Sequence, residues 1–452
     1  MSKNNSSFGR ANILDVLLRC DGRVHFLGAG GAGMSTLALL SSHFGIPLSA
    51  SDRAHTPYVS MLKRRGIPVS VNCQTHLPID AKLVVYSLAV DERDKVLCEA
   101  EMRGVPTVSR AEYLGAICSP YRLRIGVSGT HGKSTTVAML HRIFEAGGLS
   151  PTTLSGAALS LEEDNIHIGS LNCIIFENCE YKDSFLLTAP DVGVFLNLEY
   201  DHTDYFKTPG ALYESFAAAI EKCPKPILYA DDENLWEIAR NLHTPPILVG
   251  TREGVDYKIE HTCRGVRIYS PSGECAQICL PLIGRFNLLN AAMASAVARE
   301  CGVPLCVSAK ALQCFRGIRG RLEEIGSLQN RRVFLDYAHH PTEIKAGIDA
   351  IKNATGQPLT VIFGPHTYSR TASLFDDFVD ALSYADHVMI TEIDGVREEM
   401  IEGVSAEALA SRTGGDVVRR ASDIREKIKL TDGCIVIMGA INMEWVTRAL
   451  FN

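Results

Sequence analysis

Long apolar runs are missing from this chain. None of its 452 residues lies in a stretch approaching the ~18 apolar positions of a membrane-crossing helix, and the opening MSKNNSSFGR lacks the apolar core of a secretory signal. Excess positive charge is missing too. Forty-five Lys and Arg stand against 52 Asp and Glu, a net charge of −7, which argues against a broad nucleic-acid surface but leaves room for a local basic pocket. Closely paired cysteines are also lacking: the 14 cysteines form no CxxC, and the tightest spacings are Cys275/Cys279 and Cys301/Cys306. Most sit in runs such as LNCIIF and GCIVIM, where a reduced thiol behaves as a small hydrophobe, so neither a disulfide nor a zinc framework is expected. There is no short repeat and no low-complexity tract. The expectation is a cytoplasmic protein with no membrane or nucleic-acid partner, either a monomer or a homodimer.

What is present is an ordinary globular composition, 46% hydrophobic and 21% charged, in a chain too long for one core. Strand-like runs alternate with helical ones throughout, which predicts parallel sheets covered on both faces. The first segment opens with RVHFLGAGGAGMSTLALL and continues through the strand candidates LKRRGIPVSV and KLVVYSLAV, with the helical KVLCEAEMRG after them. A break falls near CSPYR. The second segment holds LRIGV, NCIIFE, DVGVFLNLE and PKPILYA, then a helix-poor β region over 251–283 and the helix NLLNAAMASAVARECG. The third holds VFLDYA, PLTVIFG, DHVMITEI and CIVIMGA. The predicted fold class is three consecutive α/β domains over 1–119, 120–320 and 321–452: Rossmann-like, P-loop ATPase-type and Rossmann-like.

Two glycine turns mark candidate sites. Gly28, Gly30, Gly31 and Gly33 lie where a strand feeds a helix, where the backbone can approach a pyrophosphate at a helix N-terminus. Asp52, at the end of the next strand, is where a nicotinamide enzyme would hold a ribose. Glycines also serve a tight turn with no ligand. The second turn, GVSGTHGKSTT at 126–136, has Val127 where the usual phosphate loop has its first glycine. Its backbone N–H groups can still cradle phosphates, Lys133 can reach the β and γ oxygens, and Ser134 can hold Mg²⁺.

That loop resembles the spelling Gly-x-x-Gly-x-His-Gly-Lys-Ser-Thr of the Mur ligase family, which activates carboxylates with ATP. The likeness runs through all three segments: HFLGAGGAGMS, FENCEYKDSFL, NLEYDHTDYF, IGRFNLLNAA, FRGIRGRLEEIG, LDYAHHPTEI and GPHTYSRTASLFDDF. It implies ATP contact at Gly129, Thr130, His131, Gly132, Lys133, Ser134, Thr135, Asn287, Asn290, Arg321 and Asp336. It implies Mg²⁺ ligation by Ser134, Glu177 and His202, and amino-acid contact at His339, His340 and Arg370. A UDP-sugar would lie on Gly28, Gly30, Gly31, Ala32, Gly33, Met34 and Ser87. GAGGAGMS and the double histidine are similar to the branch that joins L-alanine to UDP-N-acetylmuramate for peptidoglycan synthesis, or to the related branch that recycles a tripeptide. In that reading Lys133 stabilises the transferring phosphoryl group, and Glu177, His202, Arg321, His340 and Arg370 complete the catalytic set.

The departures are Phe286 for a histidine, Gly320 for a basic residue, Ala372 and Ser373 for an arginine-bearing stretch, YSLAV for SSAI, and GAIN for GAGD. They bear on amino-acid choice, with glycine or serine as alternatives, and on turnover more than on fold. Two other function classes remain open from the sequence. One is a nicotinamide oxidoreductase built on GAGGAG and Asp52; the other is a nucleotide-switched binding module without ligase chemistry.

Overall fold

Each of the three segments builds its own sheet. The computed structural model describes residues 10–19, 22–72, 76–161, 164–395, 398–440 and 443–451; nearly all of MSKNNSSFGR, and Ile441 and Asn442 of GAIN, lie outside this set. The first sheet has five parallel strands in the order Val69–Val71, Leu48–Asp52, Arg23–Leu27, Ala81–Tyr86, Thr107–Ser109. LKRRGIPVSV divides: Leu62 to Arg64 end the helix Pro57–Arg64, whose start is fixed by Thr56 accepting from the Val59 N–H and by Pro57 in the first turn, and only Val69–Val71 pairs as a strand. The helix-poor region yields three strands, Tyr257–Thr262, Gly265–Tyr269 and Cys275–Ile278, which form an antiparallel edge on the ten-stranded central sheet. The third sheet has six strands, and its two central runs, CIVIMG and LTVIFG, are buried at every position. Parallel strands covered by helices on both faces require such unbroken apolar runs. Among the described residues, no helix is long and apolar enough to cross a membrane.

The strand Ser170–Glu177 joins the first two segments physically. Side chains alternate across a strand. Cys173 and Ile175 face the central core beside the helix Lys133–Ala146, whereas Ile174 and Phe176 join the first segment's cluster with Leu37, Leu40, Leu114 and Ile117. NCIIF lacks polar alternation because the second face is buried against another domain. The central sheet also sets the site. Leu123–Ser128, which carries the phosphate loop, lies between Ser170–Glu177 and Val192–Phe195, with Val127 paired to Glu177 and Ser128 paired to Phe195. The segments after all three strands therefore emerge side by side at one edge.

Phe176 is 1% exposed inside the cluster that spans the first two sheets. Phe176→Ala is expected to destabilise the protein by about 3–5 kcal/mol, the usual cost of truncating a buried phenylalanine. Denaturant titration checks this, with the loss expected in the transition that exposes the interface between the two sheets.

Candidate active site

The helix Lys133–Ala146 starts at the phosphate loop, and its first N–H groups have no carbonyl one turn earlier to bond. Gly132, just before it, takes φ +83, and a Cβ there would lie 2.6 Å from Asn290 Oδ1. Glycine is thus required twice, by the left-handed backbone and by the amide of Asn290. Gly129 takes φ +137 and packs against the chain at Leu196 and Asn197. The loop is fixed from below: the His131 N–H donates to Asn197 Oδ1 at 2.7 Å, and Thr130 Oγ1 donates to the Glu199 carbonyl at 3.1 Å. Ser134 and Thr135, the next two residues, are buried in the first turn of the helix.

Lys133 turns into this loop. Its Nζ donates to the carbonyls of Gly129 and Thr130, and to Glu180 at 3.1 and 3.2 Å. Glu180 is 2% exposed and its Oε1 also lies 3.2 Å from His202 Nε2. Burial alone would raise the Glu180 carboxyl, but Lys133 and His202 bring it down to about 2. Burial likewise disfavours charge on Lys133, yet Glu180 holds its ammonium above the ordinary lysine value. Cys179, Glu180 and His202 offer donor atoms within 4.8 Å of one another.

Glu177, the acid expected beside Ser134 and His202, bears on Lys133 electrostatically and helps to keep its ammonium charged. Glu177 Oε1 accepts from the Gly156 N–H at 2.5 Å and from Ser155 Oγ at 3.0 Å, closing the turn after the strand Pro151–Leu154. Glu180, three residues later in FENCEYKDSFL, is the carboxylate that meets His202 and Lys133. Sequence reasoning missed it, although FENCEYKDSFL carries both acids; the strand ends at Glu177, and Glu180 follows just before the 3₁₀ segment Tyr181–Leu187.

The third sheet completes the site across the cleft. His340 caps the helix Pro341–Thr355, and its Nε2 faces the Tyr200 carbonyl at 3.4 Å. Thr342 Oγ1 donates to Glu199 at 2.6 Å. His131 lies between Glu199 and Glu343, 3.1 Å from each. Arg370, 8% exposed, donates to Asp201 Oδ1 through Nε at 3.0 Å and Nη2 at 2.8 Å. Opposed by burial but favoured by His202 and Arg370, Asp201 stays ionised well below the usual carboxylate range. His339 turns its Nδ1 to the Tyr337 carbonyl at 3.0 Å, and burial drives it down to about 4, so it is neutral near pH 7.

At the hinge, Gly320 takes φ +67 with open space around it, which accounts for glycine where the family has a basic residue. Its N–H donates to Glu323 and its carbonyl accepts from Tyr337 N–H, both at 2.8 Å. The Arg321 guanidinium stacks 4.7 Å from the Tyr337 ring centre. Asp336 lies beneath it, and burial, only partly countered by Arg321, pushes its carboxyl up to about 7. Asp336 and Tyr337 line a cleft of ≈360 Å³ with Gly320, Gly439 and Ala440. Asn290 reaches the phosphate loop, but Asn287 does not: its Nδ2 donates to the Ile283 carbonyl at 2.8 Å at the start of its own helix. The Phe286 ring folds over Gly284.

The first glycine turn is built differently. Gly28 takes φ +81 against Ser87, and Gly30 donates its N–H to Asp52 Oδ2 at 2.7 Å, while Asp52 Oδ1 accepts from Ala54. Asp52 thus accepts from two backbone N–H groups. Gly31 leads into the helix Ala32–His43, Gly33 packs against Arg110, and the Ala32 carbonyl accepts from Asn165. Met34, 2% exposed, belongs to the core rather than to the turn's open face.

The His131 contacts tie the phosphate loop to the third sheet, and they titrate. Burial lowers the imidazole, but Glu343 and Glu199 overcome this and raise it from 6.5 to about 9. A raised histidine stabilises the docked arrangement fully below pH 6.5, and that contribution is lost as pH rises through about 9. Small-angle scattering between pH 6 and 10 is expected to show expansion on the alkaline side. His131→Asn, uncharged throughout, should flatten the profile.

Family models described as "Mur ligase family, catalytic domain", "Mur ligase middle domain" and "Mur ligase, glutamate ligase domain" match residues 23–122, 127–298 and 320–441. A protein of Caldicellulosiruptor bescii named UDP-N-acetylmuramate–L-alanine ligase is 34% identical, over 85% of this chain and 86% of its own. The crystal structure of UDP-N-acetylmuramate-alanine ligase MurC from Thermotoga maritima superposes with a TM-score of 0.79 at 23% identity, over 95% of this chain and 98% of that one. That of a murein peptide ligase from Psychrobacter arcticus gives 0.72 at 24%, over 95% and 99%. With relatives this similar along most of its length, and with its phosphate loop, paired acids and third-sheet histidines in one cleft, the chain belongs to the Mur ligase family.

Proposed function

We propose that this protein is an ATP-dependent ligase that joins L-alanine to the lactyl carboxylate of UDP-N-acetylmuramate. The observation that carries this reading is the buried set Lys133–Glu180–His202 at the mouth of the phosphate loop, facing Arg370 and His340 of the third sheet. The chain's similarity to alanine-adding relatives supports the choice of substrates.

A carboxylate resists attack by an amine because of its charge and because oxide is a poor leaving group. Its oxygen therefore attacks the γ-phosphorus, ADP departs, and an acyl phosphate forms. The neutral amine of alanine adds to the acyl carbon, inorganic phosphate leaves, and the nitrogen gives up a proton. The charge gathered in the first step must be neutralised by groups already in place. The loop's N–H groups and Lys133 provide this for the β and γ phosphates. For Lys133 the change is small: its ammonium exchanges the Gly129 and Thr130 carbonyls for phosphate oxygens.

The donor set also suits Mg²⁺, a hard ion that favours oxygen ligands. Glu180, Ser134 and His202 would hold it, and it would supply positive charge to offset that of the phosphates. The Cys179 thiol, kept protonated by burial and by Glu180, stays a bystander. His340 and Arg370 orient the amino acid, while Arg321, Asp336 and Asn290 hold the nucleotide. The turn at Gly28–Gly33 with Ser87 receives the uridine diphosphate.

Phosphate release is expected only when ATP, Mg²⁺, UDP-N-acetylmuramate and an amino acid are all present. Mass analysis of the product from alanine, glycine, serine or tripeptide identifies the acceptor. Release without either acceptor, or quenching of NAD(P)H fluorescence by the protein, would contradict the proposal. Glu180→Gln is expected to lower kcat by about 10²–10³, as for loss of one preorganised charge-stabilising group. Glu177→Gln, which disturbs a turn at the edge of the cleft, should cost far less. Steady-state kinetics of the two variants side by side checks this order.

A further inference from the structure

At the far end of the phosphate-loop helix from the lysine, a second group of ligand-type side chains converges. His141 and Glu145 lie four residues apart on Lys133–Ala146 and so share one face. His167, on the last strand of the central sheet, faces them: the imidazole centres of His141 and His167 are 4.8 Å apart. Donor atoms of all three lie within 4.8 Å of one another, and His141 Nε2 is 3.4 Å from Glu145 Oε2.

We propose that His141, Glu145 and His167 form a binding site for a zinc-like divalent transition metal, separate from the nucleotide cleft. In a tetrahedral zinc site with bonds of about 2.0–2.1 Å, neighbouring ligand atoms stand roughly 3.3–3.4 Å apart, the separation found between His141 and Glu145. Two imidazoles and a carboxylate suit zinc rather than Mg²⁺. His141 also has the support such a ligand needs. It is fully buried, and its Nδ1 lies 3.0 Å from Thr153 Oγ1, so a proton on Nδ1 donated to Thr153 leaves the Nε2 lone pair facing Glu145 and His167. Thr153 is in turn the cross-strand partner of His167, so one register fixes both the ligand and its orienting hydroxyl. Glu145, about one-third exposed, opens the site to solvent, leaving the fourth position to water. Arg142 Nη1, 3.3 Å from the same carboxylate, is 40% exposed, and the ion displaces it at little cost.

The bound ion ties the phosphate-loop helix to the sheet's edge hairpin. An ordinary hydrogen bond between His141 and Glu145 would not require the second imidazole.

The test uses the full-length protein, stripped with chelator and titrated with Zn²⁺ alone. Metal content after desalting and the thermal unfolding midpoint are read for wild type, His167→Ala and Glu145→Gln. Each variant is expected to retain one zinc equivalent fewer than wild type and to lose the zinc-dependent rise in Tm. Thr153→Val should keep the site but weaken it about 10-fold, as expected for loss of an orienting hydrogen bond. Comparing equivalents keeps the result independent of any zinc taken up in the nucleotide cleft. Equal stoichiometry and equal Tm shifts in wild type and both variants would overturn the assignment.

Discussion

The site depends on a lysine ammonium held out of water by its own loop. Lys133 cannot be buried as an isolated cation, because desolvation costs several kcal/mol per ion even after relaxation. Glu180 and the carbonyls of Gly129 and Thr130 supply the compensation. Glu180 is itself too deeply buried to stay ionised without Lys133 and His202. Lys133 and Glu180 each stay charged because the other does. The set constrains what surrounds it: glycine at 132, the Asn290 amide beside it, and the short segment that carries the chain from the strand end at Glu177 to Glu180.

The same logic extends to the third sheet. Arg370 is buried against Asp201, and His131 is cationic because Glu343 and Glu199 flank it. These contacts join elements far apart in sequence and hold the third sheet over the phosphate loop with charged hydrogen bonds rather than with a shared apolar core. An apolar interface would resist reopening. Ion pairs can be exchanged for pairs with phosphate and carboxylate, which suits a cleft that must open and close on charged substrates. The first domain is attached in the opposite manner, with Phe176 and Ile174 set into its core. One joint is apolar and fixed, the other ionic and exchangeable.

Much of this was legible in the sequence. The three α/β segments, the β excursion over 251–283 and the phosphate loop followed from runs of apolar residues and glycine placement, because burial and backbone conformation are written locally. His202 and His340 follow strand ends, where parallel sheets gather their functional groups, and Arg370 came from the family resemblance. Local patterns failed where the chain beyond a strand end decided the outcome. Glu177 ends its strand in register with Val127, but register does not say how the chain continues, and Glu180, three residues on, is the acid that meets Lys133 and His202. Asn287 and Met34 show the converse: residues in a matching motif turned inward to their own helix start or core.

The departures from the family pattern sort by the same physics. Gly320 is explained by a left-handed hinge, and replacing it with a basic side chain would strain the backbone that orients Tyr337 beneath Arg321. Phe286 is tied to Gly284, whose φ of +93 lets the ring fold across the backbone. A histidine there could still stack but would also offer a hydrogen bond, so at this point contact depends on ring surface alone. Both changes fall on the hinge side, where Asp336 is pushed up to about 7 by burial. A carboxyl that is half protonated near neutrality donates or accepts according to what approaches it. The Arg321 cation lies close enough to tip that balance, so a triphosphate that draws Arg321 away would leave Asp336 protonated, able to donate to the anion instead of repelling it.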